Sequence, residues 1–299
     1  SGPAGGIPSD AHLNSKVRPS FSFGLQPAVR QHIGSRDSFY LYQIYARLAA
    51  TAEISRGLFL ETTLGADLYN NFDRLTVETD SVLPRVRSDI KEYLQLGKNN
   101  ISRLHATYLW SPAPDLYMRL SAGIFEEMYG GYGGEVLLRP FGSRLAVGLD
   151  LNYVRQRDFD QLFTFLDYTV TTGHLSVYYA LPIFDLLGQI HVGRYLAGDN
   201  GATFELSRLF SSGVRVGGFF TLTDVPFEVF GEGSFDKGFF ISIPLDLLST
   251  RSSTNGASFG FRPLTKDGGQ RLSIRPGLYD LTSGGNLDGI ARDWDQLLK

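Results

Sequence analysis

Cysteine is absent from the 299 residues, which removes disulfides, thiolate zinc sites and cysteine nucleophiles together. Histidine is sparse at five, and His32, His105, His174 and His191 fall into no HxxxH or HExxH spacing, so neither a metal centre nor a cofactor is expected. No window holds ~18 consecutive apolar residues, which excludes a membrane-spanning helix. An excess of charge is missing too. The 28 Lys+Arg against 31 Asp+Glu leave a formal charge of -3, and nothing in that balance asks for nucleic acid. The chain opens SGPAGGIPSDAH, without initiator Met, basic n-region or apolar h-region, and so reads as a mature, processed or excised product.

Glycine and aromatics are what the chain has in quantity, with 34 Gly, 22 Phe and 15 Tyr beside two Trp and two Met. The two classes rise together in sheets that curve and that set side chains against a ring or a lipid belt. A mean hydropathy of -0.08 is compatible with such a sheet in a membrane, because alternating faces average to a middling value.

Alternation is the dominant pattern. Tyr40, Tyr42, Ile44, Ala46, Leu48, Ala50, Ala52 and Ile54 form one face of a long strand, with Gln43, Arg47, Thr51 and Glu53 on the other. After a Ser55-Arg56-Gly57 link, Leu58, Leu60, Leu64, Ala66 and Leu68 oppose Glu61, Thr63 and Asp67. Leu104 to Trp110 carries Arg103, His105 and Thr107 on its polar face, and Leu116 to Ile124 carries Arg119 and Ser121. Leu145 to Tyr153 opposes Arg144, Asp150 and Asn152. Later candidates lie around Val177, Ile190, Val216 and Ile241, with two more around Phe259 and Phe261 and around Leu272 and Ile274.

Strands of ~9–11 residues or more suit a membrane barrel, whereas sandwich strands peak near five or six. At roughly twenty residues per strand and connection, the length suggests on the order of 14 strands, or part of a larger barrel. The expected fold is therefore an all-β, antiparallel transmembrane β-barrel over residues 16–283. A sandwich or solenoid is the competing reading. Residues 1–15 read as a flexible N-terminal segment. From 284 to 299, Leu287, Ile290, Ala291, Trp294, Leu297 and Leu298 recur at helical spacing, which predicts a short amphipathic C-terminal helix.

Three stretches break the alternation: Tyr69 to Asp89, Gln156 to Asp167 and Thr223 to Lys237. Loops of this length in a compact protein are usually functional. In the second, Asp158 and Asp160 stand two apart, as a general acid and base could. The adjoining Arg155 and Arg157 favour ionised, salt-bridged acids, and so a charged loop root rather than catalysis. In the third, Glu232, Asp236 and Lys237 frame GEGSFDKG, read as a folded-in loop carrying an ion pair and lacking the spacing of a phosphate cradle. Arg194 and Tyr195, followed by Asp199, are residue types that suit a hydroxyl-rich ligand.

VRQRDFDQLFTFLDYTVTTGH, GRYLAGDNGATFELSRLFSSGVRVGGFFTLTDV, FGEGSFDKGFFISIPLDLL and SVLPRVRSDI together resemble the YjbH-type family of bacterial exopolysaccharide proteins, related to the GfcD-type group 4 capsule proteins. The resemblance runs from about Lys16 to Leu281. It implies an outer-membrane β-barrel that helps to secrete an exopolysaccharide alongside other secretion proteins. Family members are typically longer, with a signal sequence and often a lipid-bearing Cys. This chain accordingly resembles their C-terminal part, and the missing N-terminal part of the precursor becomes an expected partner beside outer-membrane lipids and the polymer.

On the barrel reading, Arg47, Glu61, Asp67, Arg103, Arg119 and Asp150 would line the lumen, with Arg194 and Tyr195 as further polymer contacts. A barrel-based polysaccharide-modifying enzyme and a structural or plug module of an exporter are the alternatives; no catalytic residue is assigned.

Overall fold

The computed structural model describes residues 19–33, 40–76, 81–210, 212–226, 235–244, 256–261 and 267–283. Residues 1–15, Glu232 and the predicted helix at 284–299 lie outside them. Thirteen strands form one sheet: β1 (Ser20–Ile33), β2 (Tyr40–Ser55), β3 (Leu58–Asn70), β4 (Asn100–Ala113), β5 (Leu116–Ile124), β6 (Tyr129–Leu138), β7 (Leu145–Arg157), β8 (Phe165–Ala180), β9 (Leu186–Arg194), β10 (Asn200–Leu209), β11 (Arg215–Thr223), β12 (Asp236–Pro244) and β13 (Gly256–Phe261). Every strand pairs antiparallel with its neighbours in sequence, the up-and-down order of a barrel wall. Among the described residues β1 and β13 do not pair with each other, so the sheet is not closed.

Connections at one end are tight, such as Arg56-Gly57 after β2 and Pro114-Asp115 after β4. Gly57 (φ 79) and Asp115 (φ 64) take the left-handed backbone that such turns require. This is the hairpin end. The opposite, loop end carries the longer connections, including residues 71–99 between β3 and β4.

Register puts apolar residues in rows across one face and polar residues across the other. One row runs Leu138, Val147, Val177, Ile190, Phe204 and Phe220 over six strands. These side chains point outward. Along β7, Leu149 is 56% and Leu151 63% exposed, while Asn152 and Gln156, on the opposite face, are each 5% exposed. A water-soluble sandwich buries its apolar face, so this polarity is inverted. Leu145 to Tyr153 spans eight residue steps, about 26 Å along the strand or ~20 Å at a 40° tilt, close to the apolar band of an outer-membrane barrel. Tyr153 and Tyr132, with rings 5.5 Å apart, close that band towards the loop end, and the Arg155–Asp167 ion pair lies beyond them. Leu149→Arg, at the middle of the band, is expected to cost about 2–4 kcal/mol in a denaturant titration of the lipid-embedded protein, with Leu149→Phe near neutral.

The concave side of the sheet is filled at both ends. At the loop end, α1 (Ile90–Leu96) and the segment before it turn Val86 and Tyr93 inward onto Phe125, Met128, Tyr129, Val154, Val170, Leu196 and Ala197. The inner face of β7 and β8 therefore changes from polar to apolar where it leaves the band. Helix α1 stops at Gly97, where a Cβ would lie 2.0 Å from Gln161 Nε2.

The chain after β13 departs from the sequence reading. Leu272 and Ile274 belong to no strand; residues 271–274 have no regular secondary structure and are followed by a short helix, α2 (Leu278–Ser283). At the hairpin end α2 buries Leu278 against Leu137, Ala146 and Tyr178.

Candidate functional site

Residues 267–283 run through the interior from the loop end to the hairpin end, and each step has a partner on the wall. Asp267 accepts the backbone N–H groups of Arg87 (2.8 Å) and Ser88 (2.9 Å), and Leu196 N–H donates to Gln270 O at 2.9 Å. Midway, Ser273 N–H donates to Glu126 (3.3 Å), and the Arg119 guanidinium donates to the carbonyls of Ile274 and Pro276. Lower down, Glu135 accepts Leu278 N–H (3.2 Å), Tyr279 stacks on Tyr178 at 4.1 Å, and Arg139 donates to Tyr279 O (2.8 Å) and Thr282 Oγ1 (3.0 Å). Arg215 on β11 reaches Asp280 at 3.7 Å. These partners come from β5 through β11, so the sheet curves around the segment. The candidate site is this lumen, polar in its middle and with an apolar cluster packed towards each end.

The walls of the polar middle carry hydroxyl and imidazole groups paired across strands: Thr107 with Ser121 (3.0 Å), Ser176 with His191 (2.8 Å) and Thr203 with Thr221 (2.8 Å). A charged row crosses four strands as Arg119, Glu135, Asp150 and His174, with Arg119–Glu135 at 2.8 Å. Glycine keeps part of this wall low. A Cβ on Gly133 of β6 would sit 2.0 Å from Asn152 Oδ1, so only glycine admits that amide.

Several predicted residues face this space. Arg119 and Asp150 share the charged row, and Asp150 accepts from Asn152 at 2.9 Å. Glu61 faces His105 at 3.8 Å. Arg103 lies within electrostatic reach of Glu61, Arg47 and Arg275. Arg275 and Pro276 are exposed, so water reaches the lumen segment there. Asp67 is a rim residue instead: it accepts from Gln43 (2.8 Å) and Asn70 (2.8 Å), and Gln43 also donates to Lys98 O, tying β2 and β3 to the loop-end cap.

Two polymer-contact expectations are corrected. Arg194 points outward, because residues 190, 192 and 194 share the exposed face of β9, and its Nε donates to Gly198 O at 3.2 Å. Tyr195 is fully buried, its hydroxyl 2.7 Å from Thr203 Oγ1, and offers nothing to a ligand.

The loop residues divide in the same way. Arg157 is completely buried and donates to five backbone carbonyls, those of Ile101, Glu126, Glu127, Gln161 and Leu162. Arg155 is on the outer face with Asp167. Neither arginine makes an ion pair with Asp158 or Asp160 among the described residues. Those acids accept backbone amides of their own loop, Asp158 from Phe159 (2.6 Å) and Asp160 from Leu162 (2.9 Å). Adjacent strand residues face opposite ways, so Asp236 is buried inward near Gly269 while Lys237 lies outside, 4.5 Å from the Phe235 ring. The expected ion pair of that loop is not formed between these two.

Asp199, in the β9–β10 connection, holds Gly269 N–H on its Oδ2 at 2.8 Å. Burial raises its pKa above the ordinary 3.8, and the hydrogen bond from Gly269 only partly opposes that. An acid whose folded pKa lies above its unfolded value penalises the folded state when ionised. The penalty is full above the raised pKa and fades as pH falls through it towards 3.8. Asp199→Asn should therefore remove a gain in stability on acidification that the parent shows in that window, measured as the difference in unfolding midpoint between the two proteins against pH.

A family profile described as "Exopolysaccharide biosynthesis protein YbjH" matches residues 6–284. The chain is 42% identical over 271 residues to "Uncharacterized lipoprotein YjbH" of Escherichia coli K12, covering 88% of this chain and 38% of that protein. Two solved structures were matched at low similarity: a loop-deletion mutant of OmpT, an outer membrane protein of Vibrio cholerae (TM-score 0.35, 11% identity, 75% of this chain and 86% of that one), and OmpF of Salmonella typhi in complex with daunomycin (TM-score 0.41, 10% identity, 82% and 89%).

Proposed function

The chain belongs to the YjbH exopolysaccharide biosynthesis family, and from that premise we propose that it is an outer-membrane barrel assisting export of an exopolysaccharide or capsule polymer, its lumen held shut at rest by residues 267–283. The observation that carries this reading is the inverted polarity of the sheet, with exposed apolar rows outside and a paired polar lining inside. Lipid solvates the first and water or a carbohydrate the second. The mixed charge of Arg47, Glu61, Arg103 and Arg275 suits a hydrated polymer that must be held weakly enough to leave.

Closure of the lumen makes export conditional. A polymer passes only when α2 and the residues before it leave the wall; water can replace their hydrogen bonds and ion pair, while the contacts of Leu278 and Tyr279 hold them by packing. Among the described residues no strand pairs with the outer edge of β1, and lipid does not satisfy the backbone groups of an open edge. The chain spans 38% of the length of its Escherichia coli relative. Further strands from a longer precursor would pair that edge, and we place them among the partners with outer-membrane lipids, the polymer and other secretion proteins. No catalytic step is assigned, because Asp158 and Asp160 bind their own loop rather than facing a common point.

The test is polymer release by cells that depend on this protein. Reversal of two of the lumen cations, Arg47→Glu with Arg103→Glu, should change released exopolysaccharide several-fold at equal barrel abundance. Unchanged release would overturn the proposal.

A further inference from the structure

On the outer face of β8 to β11 the apolar surface is broken by a notch of about 400 Å³. Its walls are Tyr179, Ile190, Phe204, Leu206 and Phe220. The cross-strand row through it reads Tyr179, Gly188, Leu206, Gly218, Phe239, large and absent side chains in alternation. The backbone does not demand these glycines. A Cβ on Gly188 or on Gly218 would meet nothing closer than 3.6 Å, whereas on Gly193, on the inner face of β9, it would meet a carbonyl oxygen at 2.0 Å. The missing side chains at Gly188 and Gly218 leave room, not clearance for a strand.

A cation stands beside the notch without lining it. Arg208 follows Leu206 by two residues on the same face, at the hairpin end of β10, and is exposed. Its guanidinium carbon lies 4.7 Å from the Phe210 ring centre and 5.9 Å from that of Phe184. Among the described residues no carboxylate makes an ion pair with it. An unneutralised cation between aromatics, at the edge of an apolar band, is where a barrel meets phosphate headgroups.

We propose that this notch binds one glycerophospholipid of the leaflet at the hairpin end, an acyl chain lying over Gly188 and Gly218 and the phosphodiester on Arg208. The volume is within the ~300–1,000 Å³ range of small-molecule sites. Charge complementarity beside the notch selects a lipid over a purely apolar partner surface. The site rests on the membrane-spanning reading above, and it is separate from the lumen.

The experiment adds phosphatidylglycerol to delipidated, detergent-solubilised full chain and counts retained lipid by native mass spectrometry. The parent is expected to keep one lipid per chain. Gly188→Leu with Gly218→Leu, which fills the notch from outside, should lower occupancy about tenfold, and Arg208→Gln several-fold. A heat-modifiable band on electrophoresis checks that each variant still folds. Equal occupancy in the Leu variant, no lipid on the parent, or a parent whose mass is that of two chains would overturn the lipid site while leaving the barrel standing. A chain monodisperse in plain buffer would overturn the membrane reading itself, and the lipid site with it.

Discussion

Arg157→Met will lower the stability of the folded barrel by about 3–5 kcal/mol, whereas Arg155→Ala, two residues away, will change it by less than ~1 kcal/mol. The two arginines differ in what surrounds them. Arg157 is at 0% exposure, and its guanidinium gathers carbonyls from the start of β4, from the β5–β6 connection and from the β7–β8 loop. Removing it takes a charged donor away from all five carbonyls, of which Ile101 O and Gln161 O are in fully buried contacts and Gln161 O keeps a backbone donor, from Ile101 N–H. Each orphaned buried group costs ~1–3 kcal/mol. The arginine's own carbonyl also receives the Tyr93 hydroxyl at 2.5 Å, so α1 depends on the same knot. Lysine will not rescue it, since one ammonium with three donors cannot span five acceptors. Arg155 pairs with a fully exposed Asp167, and water takes over when it is cut away. Guanidinium titration of the detergent-folded protein, followed by tryptophan emission, gives the comparison.

The second large effect is electrical. In a planar bilayer the intact protein will pass little current, while a chain lacking 267–283 will conduct. Since a deletion can also disturb folding, Arg119→Ala with Arg139→Ala is the complementary variant: it keeps the segment and cuts its anchors at Ile274, Pro276, Tyr279 and Thr282. Hydrogen bonds from charged donors contribute ~1.5–3 kcal/mol each, so the double change should raise the fraction of chains with a displaced segment by about a hundredfold or more. The chain has no cysteine. Gly277→Cys, whose added Cβ would meet nothing closer than 4.0 Å, therefore reports the same motion as its reaction rate with a water-soluble thiol reagent, slower in the otherwise unaltered chain than with both arginines replaced. Equal currents and equal labelling in all of these proteins would mean that the segment does not close the lumen.

Long alternating strands were legible because their two faces meet different solvents. Tyr40 to Ile54 and Leu145 to Tyr153 read as strands from side-chain pattern alone, and they are β2 and β7. β6 escaped notice because YGGYGGEVLL presents glycine on both faces and gives no alternation to count. β1 is interrupted by Pro27, and β10 alternates only through Phe204 and Leu206 before Arg208. Alternation in Leu272 and Ile274 was real but misleading. Those side chains pack, half-buried, against the loop-end core on the concave side of the sheet, and two apolar residues two apart look the same in sequence whether or not the backbone pairs with a neighbour.

The lumen was legible in part. Arg119 and Asp150 could be placed on the inner face from period two, but their row partners Glu135 and His174 could not, since register between strands is not written in either strand alone. For Arg194 the residue type is no guide, and the parity of β9, set by Ile190 and Val192, puts it on the outer face. The role of Arg157 rested on loop carbonyls that no pattern encodes. Arg139 and Glu135 matter through α2, a partner more than 130 residues away in the chain.

Which face of the sheet meets lipid is read directly by Trp110. It lies on the outer face of β4 towards the hairpin end, its ring stacked on Tyr108 at 5.3 Å. With Trp294→Phe it is the sole tryptophan of the chain. In vesicles of phospholipid brominated near the headgroup end of the acyl chains, its fluorescence should be strongly quenched relative to unbrominated vesicles. Emission unchanged by the brominated lipid, with the protein folded in those vesicles, would place the apolar face away from the membrane and contradict the account.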